Sequence, residues 1–175
     1  MTGVQTCALP ISGLGVRPHF DIAGSNPLLM EPIFHEFRNT RFLLLHGGWP
    51  FDREVVALLA LDNVFTDFSC ANIYKYAREL SAQIRPALEW FPEKIMYGTD
   101  AYSDRSIGML AGVPVKPNPL SGWEEKAWLM DRVGRDALGL ALTGMMEDGV
   151  VTGARAEELA RMAMRETAIG VYGLG

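Results

Sequence analysis

The sequence predicts an α/β fold in which a parallel sheet is flanked by helices, and three observations carry that prediction. Short β-rich runs alternate along the chain with longer helical patterns, which is typical of a repeated βα unit. The run Arg41–His46 (RFLLLH) is almost continuously apolar, as expected of a strand buried on both faces. The 175 residues are 49% hydrophobic, so the chain is large enough to bury one sizeable core.

Four segments are candidates for strands. The residues Val16–Asp21 form a doubtful one, because Pro18 and the preceding glycines favour a loop at least as strongly. The other three are Arg41–His46, Val64–Phe68 and Lys94–Tyr97, each a short apolar run followed by small or polar residues.

Helical patterns fill the intervals between these strands and the C-terminal third of the chain. Asn26 is expected to cap a helix that starts at Pro27, because Asn favours the cap and Pro the first helical position. Residues 101–122 hold six Gly and Pro positions and predict a long loop with a binding function. The expected apolar face of the first helix is Leu28, Leu29, Ile33, Phe34 and Phe37. The later predicted helices are Asp52–Leu61, Tyr74–Trp90, Trp123–Glu147 and Ala154–Ala168. Ser69 or Asn72 is expected to open the second of these. Asp148 and Gly149 are expected to end the third, and Thr152 to cap the fourth.

The first eleven residues, Met1–Ile11 (MTGVQTCALPI), look like the translation of a common short-read sequencing adapter with GTG as the start codon. We therefore expect this segment to be non-native and to add nothing systematic to the core. Ser12–Gly175 is then expected to be the C-terminal part of a longer protein, a truncated barrel domain running from the loop after its fifth strand.

Charge and cysteine content narrow the classes of function. The net charge of −5 means that the chain lacks the excess of basic residues that binding to nucleic acid or anionic membranes requires, so neither is expected as a partner. The expected partner is a small-molecule substrate, and a homo-oligomeric parent stays open. Only Cys7 and Cys70 are present, which excludes a disulfide framework and favours the reducing cytoplasm.

Two residues stand out as candidates for chemistry, because active sites of parallel α/β folds lie at the C-terminal ends of strands. His46 closes an apolar run and precedes Gly47 and Gly48, which leave room for a ligand to approach the imidazole. Asp100 follows the run KIMYGT in the same way. A His ligand and an Asp proton acceptor are the pair that metal-assisted hydrolysis uses. A purely structural role is the alternative for each residue. His46 would then be a core or capping residue, and Asp100 would cap a helix or turn.

The remaining candidates carry weaker signals. His19 has no neighbouring histidine at ligand spacing, and His35 is expected on a solvated helix surface. Trp49 and Tyr102 follow the two leading candidates and could line a substrate pocket, although packing is the commoner role of such rings. Three further residues follow the middle strand: Asp67 and Ser69, for which a satisfied turn is the better interpretation, and Cys70, interpreted as a small buried hydrophobe.

Several motifs together resemble the amidohydrolase-related family. They are FDIAGSNPLLMEPIF, RFLLLHGGWPFDREVVALLALDNVFTDFS and WFPEKIMYGTDAY, followed by the helical tail, and they span Ser12–Leu174. Members of that family are metal-dependent (β/α)8 TIM barrels and include hydrolases and nonoxidative decarboxylases. The resemblance places His46 at the end of the sixth strand and Asp100 at the end of the eighth.

The resemblance implies a parent enzyme that uses a divalent metal, with zinc expected, to hydrolyse or decarboxylate a small amide, lactone or carboxylate. It implies that Asp100 is general base or metal ligand and that His46 orients or coordinates, with His19 a doubtful third ligand. The family's N-terminal HxH pair is missing from this chain, so we expect weak or no metal binding and no turnover by it alone. The alternative is a noncatalytic barrel domain with a structural or interaction role.

Overall fold

A single parallel sheet of four strands organises the molecule. The computed structural model describes residues 6–9, 22–101 and 123–174, and for residues 6–9, 73, 74 and 123 the backbone alone. The sheet order is β1-β2-β3-β4, so that each strand lies beside its successor in the chain, and every pairing is parallel. The strands are β1 (Thr6–Leu9), β2 (Arg41–Leu44), β3 (Val64–Asp67) and β4 (Ile95–Met96).

Helices connect the strands and form the C-terminal part of the described chain. They are α1 (Glu31–Glu36), α2 (Asp52–Leu58), α3 (Ala71–Tyr74), α4 (Ala77–Trp90), α5 (Trp123–Glu147), α6 (Gly153–Arg161) and α7 (Thr167–Tyr172). The shorter 3-10 segments are Ala23–Ser25, Pro27–Met30, Leu45–Gly48 and Pro92–Lys94, and Met162–Glu166 is a π-helical turn between α6 and α7.

The alternation of side chains along the strands divides the core between the two faces of the sheet. Phe42 and Leu44 of β2 belong to the larger cluster, which includes residues of α2, α4, α5 and α6. Leu43 points to the other face, where it clusters with Met96 of β4 and Val171 of α7. Helices therefore cover both faces of the sheet, as the apolar run of β2 predicts.

The predicted strands are confirmed in position and shortened at their ends. The second strand ends at Leu44 and not at His46, because Leu45–Gly48 turns sharply through three left-handed residues. The described strands β3 and β4 lie within Val64–Phe68 and Lys94–Tyr97. The doubtful strand Val16–Asp21 and residues 102–122 of the predicted loop lie outside the described residues.

The C-terminal helices follow the prediction closely at their starts. Helix α5 spans Trp123–Glu147 as expected, and Gly149 follows it in a left-handed conformation. The Thr152 hydroxyl accepts a hydrogen bond from the Arg155 amide, which confirms the predicted cap of α6. The single helix expected over 154–168 is instead two helices joined by the π-helical turn. No helix in the described part of the chain is both long and apolar enough to cross a membrane.

The fourth predicted helix is also divided. Residues 71–74 form the short α3, and the chain is extended at Lys75 before α4 begins at Ala77. Neither Ser69 nor Asn72 caps the helix, since α3 starts directly after Cys70.

The first helical region is where the predicted apolar face is wrong. The Asn26 side chain does cap the turn, accepting from the Leu28 amide at 3.0 Å. Leu29 is nevertheless 62% exposed, and Leu28 and Phe37 are exposed as well. Pro27–Met30 is a 3-10 turn with three residues per turn, so side chains spaced for an α-helix do not share one face. Only Phe34 of the predicted face is fully buried, its ring 4.8 Å from that of Phe42.

The N-terminal segment contributes a strand. Thr6–Leu9 pairs in parallel with Arg41–Leu44, with Thr6 opposite Arg41 and Leu9 opposite Leu44. The edge backbone of β2 offers a template with which any short extended segment can pair. Only the backbone of these four residues is described, so the expectation that Met1–Ile11 adds nothing systematic to the core stays a prediction. The origin of the segment in an adapter sequence stays a prediction.

Candidate functional site

Three turns that follow successive strands meet at one edge of the sheet. His46 follows β2, Cys70 follows β3 and Asp100 follows β4, so the parallel order of the strands brings their side chains together. All three adopt left-handed backbone conformations, with φ of 64°, 55° and 54°, and they are the only non-glycine residues of the described chain that do so. Such strained residues cluster at functional sites, because the surrounding fold must hold them in place.

The distances define a compact group of donor atoms. The Nε2 atom of His46 lies 3.9 Å from Oδ2 of Asp100. One ligand atom from each of His46, Cys70 and Asp100 can be chosen so that all lie within 4.8 Å of one another. The expected meeting of His46 and Asp100 at one sheet edge, with β3 between their strands, is confirmed. Their roles in catalysis or metal binding stay predictions.

Gly47 and Gly48 shape the turn that carries the imidazole. A Cβ atom on Gly48 would lie 2.1 Å from Cγ2 of Val55 in α2, and one on Gly47 would lie 2.5 Å from Nε2 of Gln83 in α4. Both glycines also have positive φ, of 59° and 69°. Their absent side chains thus let the two helices close against the turn, and the access of a ligand to the imidazole at these glycines stays a prediction.

A chain of hydrogen bonds fixes the imidazole from behind. The Ser69 hydroxyl donates to Oδ1 of Asp67 at 2.8 Å, and Oδ1 also accepts from the amides of His46 and Ser69. Nδ1 of His46 lies 3.0 Å from the same hydroxyl oxygen. Since the hydroxyl proton is directed to the carboxylate, Nδ1–H donates this bond, and Nε2 is left on the side of Asp100.

Two groups of this network have altered acidity. Burial raises the pKa of the Asp67 carboxyl, while hydrogen bonds from the His46 amide and from Ser69 act in the opposite direction. Burial, together with the negative charges of Asp100 and Asp67, raises the pKa of the Cys70 thiol to about 12. The two carboxylates thus disfavour a charged thiolate, and a cation bound beside them would offset their charge.

The other predicted site residues divide by position. Trp49 is half-buried and its amide donates to the His46 carbonyl at 3.2 Å, so it stays next to the site. His35 is exposed and pairs with Glu31 on the same helix, as expected of a surface residue. Both His19 and Tyr102 lie outside the described residues.

The interpretation of the residues after β3 was incomplete. Asp67 and Ser69 do form a satisfied turn, but the same carboxylate and hydroxyl hold His46. Cys70 is only 6% exposed, as a small hydrophobe would be, yet it lies between two polar candidates. The signal in the sequence was position alone, since Cys70 follows the strand between those of His46 and Asp100.

A hydrogen-bonded imidazole and a carboxylate at the carboxyl edge of a parallel sheet define the site of an α/β enzyme class. The family model described as Amidohydrolase matches residues 8–174 of the chain, and the protein belongs to the amidohydrolase family. A search of curated proteins and a search of solved structures each return no significant match.

The donor set fits the divalent metal on which this family generally depends. An imidazole nitrogen, a thiolate sulfur and a carboxylate oxygen are all established zinc ligands. Ligand atoms in a tetrahedral zinc site lie roughly 3.5 Å apart, so the three donors would draw together by about 1 Å on binding. His46, Cys70 and Asp100 are the residues of the described chain that could hold the ion.

Proposed function

We propose that this chain carries part of the active site of a metal-dependent enzyme that hydrolyses small amides or lactones, or decarboxylates small aromatic carboxylates. The observation that carries the proposal is the 3.9 Å approach of His46 Nε2 to Asp100 Oδ2 at the carboxyl edge of the sheet. Membership of the amidohydrolase family supports hydrolytic chemistry.

The strand order supports a barrel as the complete fold. Each strand lies beside its successor in the chain, and all are parallel, which is the connectivity of a (β/α)8 barrel and not of a doubly wound sheet with a reversal. We propose that β2, β3 and β4 are the last three strands of such a barrel and that the remaining strands supply further metal ligands, among them an HxH pair.

Asp100 has the properties that a proton acceptor at this site needs. Its side chain is 44% exposed, so water and substrate can reach it, while that of His46 is only 12% exposed and is fixed by Ser69. A divalent metal held by His46 and Asp100 would supply Lewis-acid chemistry, polarising the substrate and lowering the pKa of water. Asp100 accepts the proton of the attacking water, and Nε2 of His46 orients the substrate or the metal.

A carboxylate substrate would use the same residues differently. In a decarboxylation the carbon–carbon bond to the carboxylate breaks, carbon dioxide leaves, and the carbanion formed takes up a proton from an acid at the site. Asp100 is open to solvent and would pass a proton from water to that carbanion, leaving hydroxide in solvent. Trp49 and Tyr102 are the proposed walls of the substrate pocket.

The test is an activity assay on an extended protein. Re-sequencing the gene across the junction before Ser12 identifies any missing coding sequence, and the extended protein is assayed on small amides, lactones and aromatic carboxylates with and without added zinc. We expect zinc-dependent turnover by the extended protein and none by the present chain. An extended sequence without HxH, or turnover unaffected by chelation, would contradict the proposal and favour a noncatalytic domain.

A further inference from the structure

We propose that Cys70 is itself a metal ligand, so that His46, Cys70 and Asp100 form one nitrogen, sulfur and oxygen donor set within this chain. The inference rests on the proposed function, because it assigns a third protein ligand to the same site. It goes beyond that function in naming a thiolate, which makes the site selective for soft or borderline ions.

The position of Cys70 is the first observation. Its strand, β3, lies between the strands of His46 and Asp100, and the three donor atoms fall within 4.8 Å of one another. The Cys70 amide donates to the carbonyl of Thr99 at 3.3 Å, which ties this turn to the one that carries Asp100. Cys70 is therefore held beside Asp100 by a backbone hydrogen bond between the two turns.

The backbone of Cys70 is the second observation. Its φ of 55° is unfavourable for any residue with a Cβ atom, and glycine would relieve it. His46 and Asp100 carry the same strain, and a purely apolar role does not require it. All three strained positions supply donor atoms to one group, which indicates that the strain serves the placement of those atoms.

The surroundings of the thiol are the third observation. Cys70 is buried, and besides that burial two carboxylates, those of Asp100 and Asp67, act on its thiol. On binding, the S–H bond breaks, a bond from Sγ to the metal forms, and the proton passes to solvent through the exposed side of Asp100. Sulfur ligands favour zinc, cobalt and cadmium over magnesium, so these are the ions the site would select.

Cobalt titration tests the assignment directly, because a cobalt–thiolate bond gives a charge-transfer band in the near ultraviolet that nitrogen and oxygen ligands do not. The probe is Co²⁺ alone, added under reducing conditions to the full chain and to the variants Cys70→Ser and Cys7→Ser. Cys7→Ser is the matched control, since it removes the other cysteine of the chain. Circular dichroism compares the folding of all three proteins.

With three donors in this chain we expect weak binding of Co²⁺ and not its absence. The band should rise toward one Co²⁺ per chain in the unchanged protein and in Cys7→Ser, and it should be absent in Cys70→Ser; no band in the unchanged protein would overturn the inference. We also expect Cys70→Ser and Asp100→Asn each to weaken Co²⁺ affinity at least about 10-fold, as loss of a ligand should. Mg²⁺ added at the same concentration as Co²⁺ should not displace the bound Co²⁺.

Two results would overturn the inference, and both are distinct from failure of the proposed function. If Co²⁺ binding depends on Asp100 but gives no charge-transfer band, the metal site exists and Cys70 is not one of its ligands. A band that persists in Cys70→Ser and disappears in Cys7→Ser would show that the thiolate ligand is Cys7 and not Cys70. The proposed function fails on other results, which are an extended sequence without HxH or an extended protein without metal-dependent turnover.

Discussion

Nδ1 of His46 and the hydroxyl of Ser69 lie 3.0 Å apart, and this contact sets the orientation of the imidazole. Because the hydroxyl donates to Asp67, it can only accept from His46, which fixes the proton on Nδ1. The other nitrogen, Nε2, then lies 3.9 Å from Oδ2 of Asp100. The polar residues at the end of β3 thus orient the side chain of His46, which belongs to the turn after β2.

Removing the Ser69 hydroxyl should release the imidazole. We expect Ser69→Ala to shift His46 from the single Nδ1–H tautomer to a mixture and to lower the free energy of unfolding by about 1 kcal/mol, the usual net value of such a bond. Nitrogen-15 NMR of the histidine side chains reads the tautomer, and urea denaturation reads the stability. Ser81→Ala is the control, since the Ser81 hydroxyl bonds only within α4, to the Arg78 carbonyl. An unchanged tautomer in Ser69→Ala would show that Ser69 does not orient His46.

Gly48 should be far less tolerant of alanine than another left-handed glycine. Gly149→Ala adds a side chain at φ +71° with no atom within 4 Å, so it should cost only the left-handed strain of about 1–2 kcal/mol. Gly48→Ala adds similar strain and a clash with Val55, which should cost about 1–3 kcal/mol more. Urea denaturation of the two variants measures the difference. Equal losses would mean that α2 does not close against the turn as described.

The sequence predicted the turn after β2 well and its neighbours less well. A continuous apolar run followed by two glycines left few alternatives for the position of His46. The candidate role of Cys70 as a ligand was missed because its neighbours in the site come from turns that are distant in the sequence. A single buried cysteine has no local sequence pattern that distinguishes a metal ligand from a residue that only packs in the core. The exposed face of Leu28 and Leu29 was missed because composition does not distinguish a 3-10 turn from the first turn of an α-helix.

Lys94 gives a prediction for the pH dependence of stability. Burial lowers the pKa of its ammonium group, although Asp62 and Glu93 act in the opposite direction. The unfolded chain therefore binds more protons between the lowered pKa and the ordinary value of 10.5, so this group makes stability rise with pH across that window.

Lys94→Met should remove this rise. The Lys94 ammonium donates to the Leu61 carbonyl, which keeps the amide of Val64 as a partner at 3.2 Å, so the change leaves no orphaned acceptor. We expect Lys94→Met to be the more stable protein at neutral pH and its advantage to shrink as the pH approaches about 10. Urea denaturation of both proteins across that range measures the difference. An advantage that is constant with pH would contradict the assigned pKa shift.

Deleting residues 1–11 tests the contribution of β1. The deletion uncovers the backbone edge of β2, so we expect a lower melting temperature and more aggregation. Light scattering and thermal denaturation compare the two chains, with replacement of residues 1–5 alone as the control. Unchanged solubility and melting would support the view, drawn from the sequence, that the segment is foreign to the fold.

The central claim is that Asp100 acts in a metal-dependent reaction, and its most direct test is turnover by Asp100→Asn in the extended protein. The matched control is Asp136→Asn, which changes an exposed carboxylate of α5 paired with Arg132. We predict that Asp136→Asn keeps the rate of the unchanged enzyme and that Asp100→Asn loses at least about 10²-fold, as removal of a general base does. Turnover by folded Asp100→Asn at the unchanged rate would contradict the account.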